Sequence, residues 1–310
     1  MISELTFETE TFETFDGLRL RTARWSAPEA TRGPVLFCTG RNESLERYEE
    51  MARGFIERGF RPVAFDWRGQ GGSGRETEHP RRGHVSHFDA YLRDLRDLLA
   101  ELLRGEQPVV VAHSMGAHLA LRYAHDEPLA FRALVLSAPM IAIQTGPLPL
   151  SAVGWLARVS RWAGAGEAFL PGHRRLFERA KRFKRNPLTN DKERFERNIA
   201  LLEEHPELIT GGVTFGWLAE AVISMQLALE PGFPEAIQTP TLLLTAGADT
   251  VVRRSVQGTF AGRMPNATHQ VIEGAKHELL QETDACLAQV WTAIDAFLPT
   301  APARDATIGL

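Results

Sequence analysis

Short, almost unbroken apolar runs recur along this chain, and their recurrence constrains its fold more than any other feature. They read PVLFC (34–38), RPVAFDW (61–67), PVVVAHS (108–114), ALVLSAP (133–139), TPTLLLTAG (239–247) and HQVIEGA (269–275). Runs of this kind suit strands covered on both faces, because a strand with one wet face alternates apolar with polar residues. Between them lie LERYEEMARGFIERG, HFDAYLRDLRDLLAELLRG and the segment after Ser114, each with apolar residues at three- and four-residue steps; the tail ETDACLAQVWTAIDAFL repeats the pattern. Strand–helix alternation predicts βαβ units with right-handed crossovers, hence a mostly parallel α/β sheet with helices on both faces. Ligands bind at the carboxyl ends of such strands, so chemistry is sought in the loops that follow them.

Two segments depart from this rhythm. Residues 6–25 alternate around Asp16-Gly17, which predicts an N-terminal antiparallel hairpin. From about Ile141 to Gly232 no clear strand is legible, only aromatic-rich helical stretches and breakers. The expected organisation is a core of 1–140 and 233–310 with a helical cap, 141–232, over the carboxyl edge of the sheet.

The chain has 310 residues and a formal charge of −4, so nothing in its overall balance suggests nucleic acid as a partner. Its two cysteines, Cys38 and Cys286, sit in apolar runs without zinc-ligand spacing and read as small buried hydrophobes. The acidic start MISELTFETETFETFDG lacks the basic region and apolar core of a signal peptide. With no apolar stretch of the roughly 18 residues a membrane helix needs, the expected location is cytoplasmic.

The valine run at 109–111 leads into Ala-His-Ser-Met-Gly, and a helical pattern follows at once. A serine is a poor nucleophile at neutral pH and needs a base, a group to orient the base, and donors for the developing oxyanion. A strand–turn–helix elbow presents such a serine when the residues two before and two after it are small, here Ala112 and Gly116. The acid should then follow a later strand, and the histidine should lie beyond the last one. Asp249 comes just after TLLLTAG, and His277 just after HQVIEGA. The expected nucleophile, acid and base are therefore Ser114, Asp249 and His277. The expected oxyanion donors are backbone N–H groups: Met115, next to the nucleophile, and Arg41, in the loop after VLFC, where Gly40 permits a tight turn.

Other readings stand beside these. Asp249 is also an ordinary turn residue, Thr39-Gly40-Arg41 an ordinary turn, and most of the ten histidines are by default surface residues. His113 adjoins the serine but should point away from it. Asp66 ends a strand before the serine and reads as a structural loop acid.

On ESLERY (with Glu43, Arg47 and Tyr48), DWRGQGGSGR, HVSHFDAYLRDL and AHSMGAHLALRYA, the chain resembles the α/β-hydrolase group of monoacylglycerol lipases and bacterial lysophospholipases. NPLTNDKERFERN and GGVTFGWLAEA, within the expected cap, resemble the lysophospholipase branch in particular. Two departures are Thr39-Gly40 in place of His-Gly and Ala112 at the start of the elbow. The resemblance implies a serine carboxylic-ester hydrolase with no cofactor or metal, acting through an acyl-enzyme on lysolipids, with monoacylglycerols or short acyl esters as the alternative; a catalytically silent scaffold or binding protein on the same fold is the reading from a different class, against which the complete Ser-His-Asp set argues. In the cap, Trp155, Leu156, Val159, Trp162, Phe169 and Leu170 read either as walls for an acyl chain or as the cap's own core. HRRLFERAKRFKR, with seven Arg or Lys from Arg174 to Arg185, reads either as a surface for anionic headgroups and membrane or as a solvated helix face.

Overall fold

Alternate residues of each central strand enter opposite cores, as the two-residue period of a strand requires. Leu36, Val110, Ala112, Leu134, Leu136 and Leu243 face one core, and Val35, Phe37, Val109, Val111, Val135, Leu242 and Leu244 the other. The computed structural model describes residues 7–298; the first six residues of the acidic start and residues 299–310 lie outside the described residues, as do the side chains of Arg175, Leu176, Arg179 and Arg185. The strands are β1 (Phe7–Glu13), β2 (Arg19–Trp25), β3 (Pro34–Cys38), β4 (Arg61–Phe65), β5 (Val109–His113), β6 (Ala133–Ser137), β7 (Thr241–Ala246) and β8 (Ala267–Ile272). They form one sheet in the order β1-β2-β4-β3-β5-β6-β7-β8. From β4 to β8 neighbours are parallel, while β1–β2 and β2–β4 are antiparallel. The N-terminal hairpin turns at Thr14–Leu18, with Gly17 at φ +81°.

The helices α1 (Glu49–Glu57) and α10 (Asp284–Phe297) pack on one face of the sheet. On the other lie α2 (Phe88–Leu103) and α3 (Ser114–Asp126). Between β6 and β7 the described chain adds no strand to the sheet, but the helices α4 (Leu150–Ser160), α5 (Leu176–Ala180), α6 (Lys192–Glu204), α7 (Phe215–Ala228) and α8 (Phe233–Ala236). A short helix unread in the sequence, α9 (Arg254–Ala261), joins β7 to β8.

Strand order reverses between β3 and β5: the chain steps from β3 outward to β4, then crosses back to β5 on the other side of β3. The crevice beyond the carboxyl ends of β3 and β5 is the place where such sheets bind ligands. Thr39–Arg41 and Ser114 follow those two strands directly.

Candidate active site

Ser114 stands where β5 gives way to α3, with φ at +49°. A residue with a Cβ adopts this left-handed conformation only under constraint. The constraint is packing. Gly116 lies so close to the Cys38 and Thr39 carbonyls that a Cβ there would overlap them, and the Ser114 carbonyl accepts from the Met140 N–H at 3.0 Å. Ala112, the departure noted above, fits fully buried in β5 beside Cys38.

Asp249 and His277 arrive from loops after β7 and β8. His277 Nε2 lies 3.0 Å from Ser114 Oγ, and His277 Nδ1 lies 2.7 Å from Asp249 Oδ2. The other Asp249 oxygen accepts from the backbone N–H groups of Val251 (2.7 Å) and Val252 (3.0 Å), which locks the carboxylate in its turn. Burial alone would raise the Asp249 pKa, but the His277 hydrogen bond and charge, with these two N–H donors, hold it below the ordinary value. Ser114 is 8% exposed and His277 4%.

The His277 loop is clamped by a segment remote in sequence. Asn186 Oδ1 accepts from the N–H groups of Leu188 and Thr189, and Leu188 O then accepts from the Glu278 N–H at 2.8 Å. The Thr189 hydroxyl donates to Gln281 O (2.7 Å), and Lys276 Nζ donates to the carbonyls of Asn186 and Thr189. Glu282 Oε1 accepts from the N–H groups of both Asn190 and Lys276. NPLT, quoted above only as part of a resemblance, is thus the support of His277. Asparagine before proline is a turn signal, but nothing in it names the loop it holds.

Around Arg41, the loop after β3 is held from several sides. Trp67 Nε1 donates to Thr39 O (2.9 Å), Gln70 Nε2 donates to Gly40 O (2.8 Å), and the Gly40 N–H donates to Glu43 Oε2 (2.5 Å). Gly40 does not supply the tight turn expected of it; Asn42, at φ +63°, takes the left-handed position. Glycine is needed at 40 because a Cβ there would come within 2.7 Å of the His113 ring. Met115 lies in the first turn of α3, where helix N–H groups have no intrahelical acceptor. The Thr39 hydroxyl, where the resemblance leads one to expect a histidine, is buried and without a hydrogen-bond partner among the described residues.

His113 does point away from Ser114, yet it belongs to the site. Its Nδ1 lies 3.2 Å from Ser137 O, and its ring packs against that of His277 with centroids 4.8 Å apart. Burial lowers its pKa. Beneath it, Glu43 also accepts from the Tyr48 hydroxyl (2.7 Å), and Arg47 pairs with Glu278 at 2.6 Å. This buried polar layer ties the loop after β3 to the residue following His277. Asp66 is elsewhere: it pairs with Arg21 at 2.6 Å and accepts from the Leu45 and Gly72 N–H groups.

A model of the serine aminopeptidase S33 family (Hydrolase_4) matches residues 29–284. The chain belongs to that family. Over 299 residues it is 31% identical to lysophospholipase L2 of Escherichia coli K12, covering 92% of this chain and 86% of that one. It is 28% identical to the probable lysophospholipase L2 of Haemophilus influenzae, over 87% and 84% of the two chains. Among solved structures, a soluble variant of monoglyceride lipase from Saccharomyces cerevisiae shares the fold, with a TM-score of 0.73 at 17% identity, over 96% of this chain and 97% of that one. The S33-family chain is an α/β-hydrolase of the lysophospholipase and monoglyceride lipase type, a carboxylic-ester hydrolase.

Two sequence expectations for this S33-family hydrolase are corrected by exposure. Trp155, Leu156, Val159 and Trp162 do not form the cap's own core; they are exposed, Trp162 at 89%. α4 buries Gly154 and Ala157 instead, with Gly154 so close to Val222 of α7 that a Cβ would overlap it. Phe169 packs edge-on against His79, and Leu170 rests against the core. Of the cysteines, Cys38 is fully buried but Cys286 only partly. No helix among the described residues is long and apolar enough to cross a membrane.

Proposed function

We propose that this protein is a lysophospholipase-type serine hydrolase that cleaves acyl esters of single-chain lipids through an acyl-enzyme. The observation that carries the reading is the hydrogen-bonded chain from Ser114 through His277 to Asp249. Ser114 Oγ attacks the ester carbonyl, His277 Nε2 takes its proton and returns it to the leaving alcohol, and water then releases the fatty acid by the same route in reverse. Asp249 holds the imidazole with its proton on Nδ1, leaving Nε2 free to accept. The Met115 and Arg41 N–H groups receive the oxyanion. The choice of lysophospholipids over monoacylglycerols leans on the near full-length likeness to the lysophospholipase L2 proteins.

Residues 141–232 serve in this reading as a cap. Ser114 is nearly closed off, and in this reading the cap shifts to admit substrate. The exposed Trp155, Leu156, Val159 and Trp162, with the exposed Arg158 among them, suit an anionic lipid surface that delivers the substrate. The reading has two parts and two measurements. A fluorophosphonate probe should label the wild type and not Ser114→Ala; a folded wild type that resists labelling overturns the serine mechanism. A panel of p-nitrophenyl esters, monoacylglycerols and lysophospholipids decides the substrate, and release from short esters alone overturns the lipid assignment.

A further inference from the structure

Several arginines of this protein that are drawn out of solvent come with acids. Arg21 pairs with Glu46 and Asp66, Arg47 with Glu278, and Arg68 with Asp94. Arg41, in the loop after β3, has no carboxylate within ion-pair distance among the described residues. Its Nη2 donates to Gly211 O at 3.2 Å, its guanidinium lies 4.9 Å from the Trp217 ring centroid, and its Nε is buried without a partner. Burial lowers its pKa to about 10, opposed by Tyr91. An enclosed cation that lacks a counter-ion is costly to keep, and such groups mark places where a ligand supplies the missing charge.

We infer that the Arg41 side chain binds the phosphate of the substrate and so selects phosphate-bearing single-chain lipids over neutral ones. The inference deepens the proposed function and rests on it for the identity of the ester. Its geometry is local. Arg41 lies in the loop after β3 where the proposed function puts an oxyanion donor, and its side chain leads from there to Gly211 and Trp217. The glycerol of a lysophospholipid likewise separates its ester from its phosphate by about the length of an arginine side chain. When a phosphate enters, it displaces a single carbonyl contact and satisfies Nε, a planar fork for which guanidinium is well shaped. An α-ammonium group, as an aminopeptidase substrate would bring, meets like charge here.

The test compares wild type, Arg41→Gln and Arg41→Lys on two substrates of equal acyl chain, a lysophosphatidylglycerol and a monoacylglycerol. The expected result is that Arg41→Gln lowers the ratio of kcat/KM for the phospholipid to that for the neutral lipid by roughly 10- to 100-fold, the loss of one charge-assisted interaction, with partial recovery in Arg41→Lys. An unchanged ratio, with both activities falling together, overturns the inference and leaves Arg41 as a structural tie. A second arm is independent of the lipid assignment: glycerol 3-phosphate should inhibit p-nitrophenyl butyrate hydrolysis competitively, with an inhibition constant at least tenfold weaker in Arg41→Gln. If the wild type ignores lysophospholipids but shows this Arg41-dependent inhibition, the anion site stands and the lysophospholipase reading falls. If glycerol 3-phosphate inhibits wild type and Arg41→Gln alike, the anion site falls.

Discussion

Asp249→Asn is the most demanding test of the proposed chemistry, because the turn around residue 249 decides how the amide must sit. Oδ1 accepts from the Val251 and Val252 N–H groups, and Oδ2 faces His277 Nδ1 at 2.7 Å. An asparagine can keep its oxygen on the two backbone donors or turn its NH2 toward them. The second choice leaves two N–H groups without an acceptor at about 1–3 kcal/mol each, so the first prevails by roughly 30-fold or more. The NH2 then faces His277 Nδ1, which must accept, and the imidazole proton moves to Nε2. That nitrogen lies 3.0 Å from Ser114 Oγ and can no longer take its proton. Loss of the working tautomer is worth a factor of about 10⁴ in kcat, or about 5.5 kcal/mol, with KM little changed because substrate contacts are intact. Fluorophosphonate labelling rates and p-nitrophenyl butyrate kinetics read the effect, and thermal unfolding checks that the variant is folded. A folded Asp249→Asn within tenfold of wild type would refute the reasoning. The same substitution at Asp66 supplies the contrast: it should cost stability through the Arg21 pair, yet leave labelling of the folded fraction within tenfold.

Ser114→Gly should be more stable than Ser114→Ala by about 1 kcal/mol, since only glycine adopts φ near +49° without strain; equal unfolding midpoints would mean that the elbow holds no strain. Asn186→Ala should lower kcat by about tenfold with KM nearly constant, because the clamp on His277 loses its Asx turn; a pure KM effect in steady-state kinetics would contradict that role. Burial, reinforced by Arg122, lowers the His118 pKa from 6.5 to about 3. The folded state therefore binds fewer protons than the unfolded state below pH 6.5, and this histidine's share of stability is complete above that pH and lost as pH falls toward 3. His118→Gln should flatten the acid-side slope of stability by up to about 1.4 kcal/mol per pH unit between pH 6 and 4, measured by urea unfolding; an unchanged or steeper slope would sink the assignment.

The sequence by itself determined the sheet, because a strand buried on both faces must be apolar throughout, as Val109–Val111 and Leu242–Leu244 are. It also determined where chemistry could stand, since the ends of such strands are legible wherever apolar residues stop; Ser114, Asp249 and His277 all occupy those ends. Boundaries were less legible. β4 stops at Phe65 rather than Trp67 because Asp66 turns to meet Arg21, a partner 45 residues away. β8 runs Ala267–Ile272 rather than 269–275 and, as an edge strand, is largely exposed, so the apolar Val271-Ile272 pair marks only its end. Only the tertiary structure decided which face of α4 is covered. α4 turns its small residues to α7 and Trp155 outward because Gly154 and Ala157 allow the two backbones to approach, and no periodicity within α4 reveals that. The same holds for the polar groups. Whether Glu43 meets His113, whether NPLT holds the His277 loop, and whether Arg41 finds an acid all depend on residues brought together across the chain. A side chain's charge is written in its own letter, but its counter-charge is set by the fold.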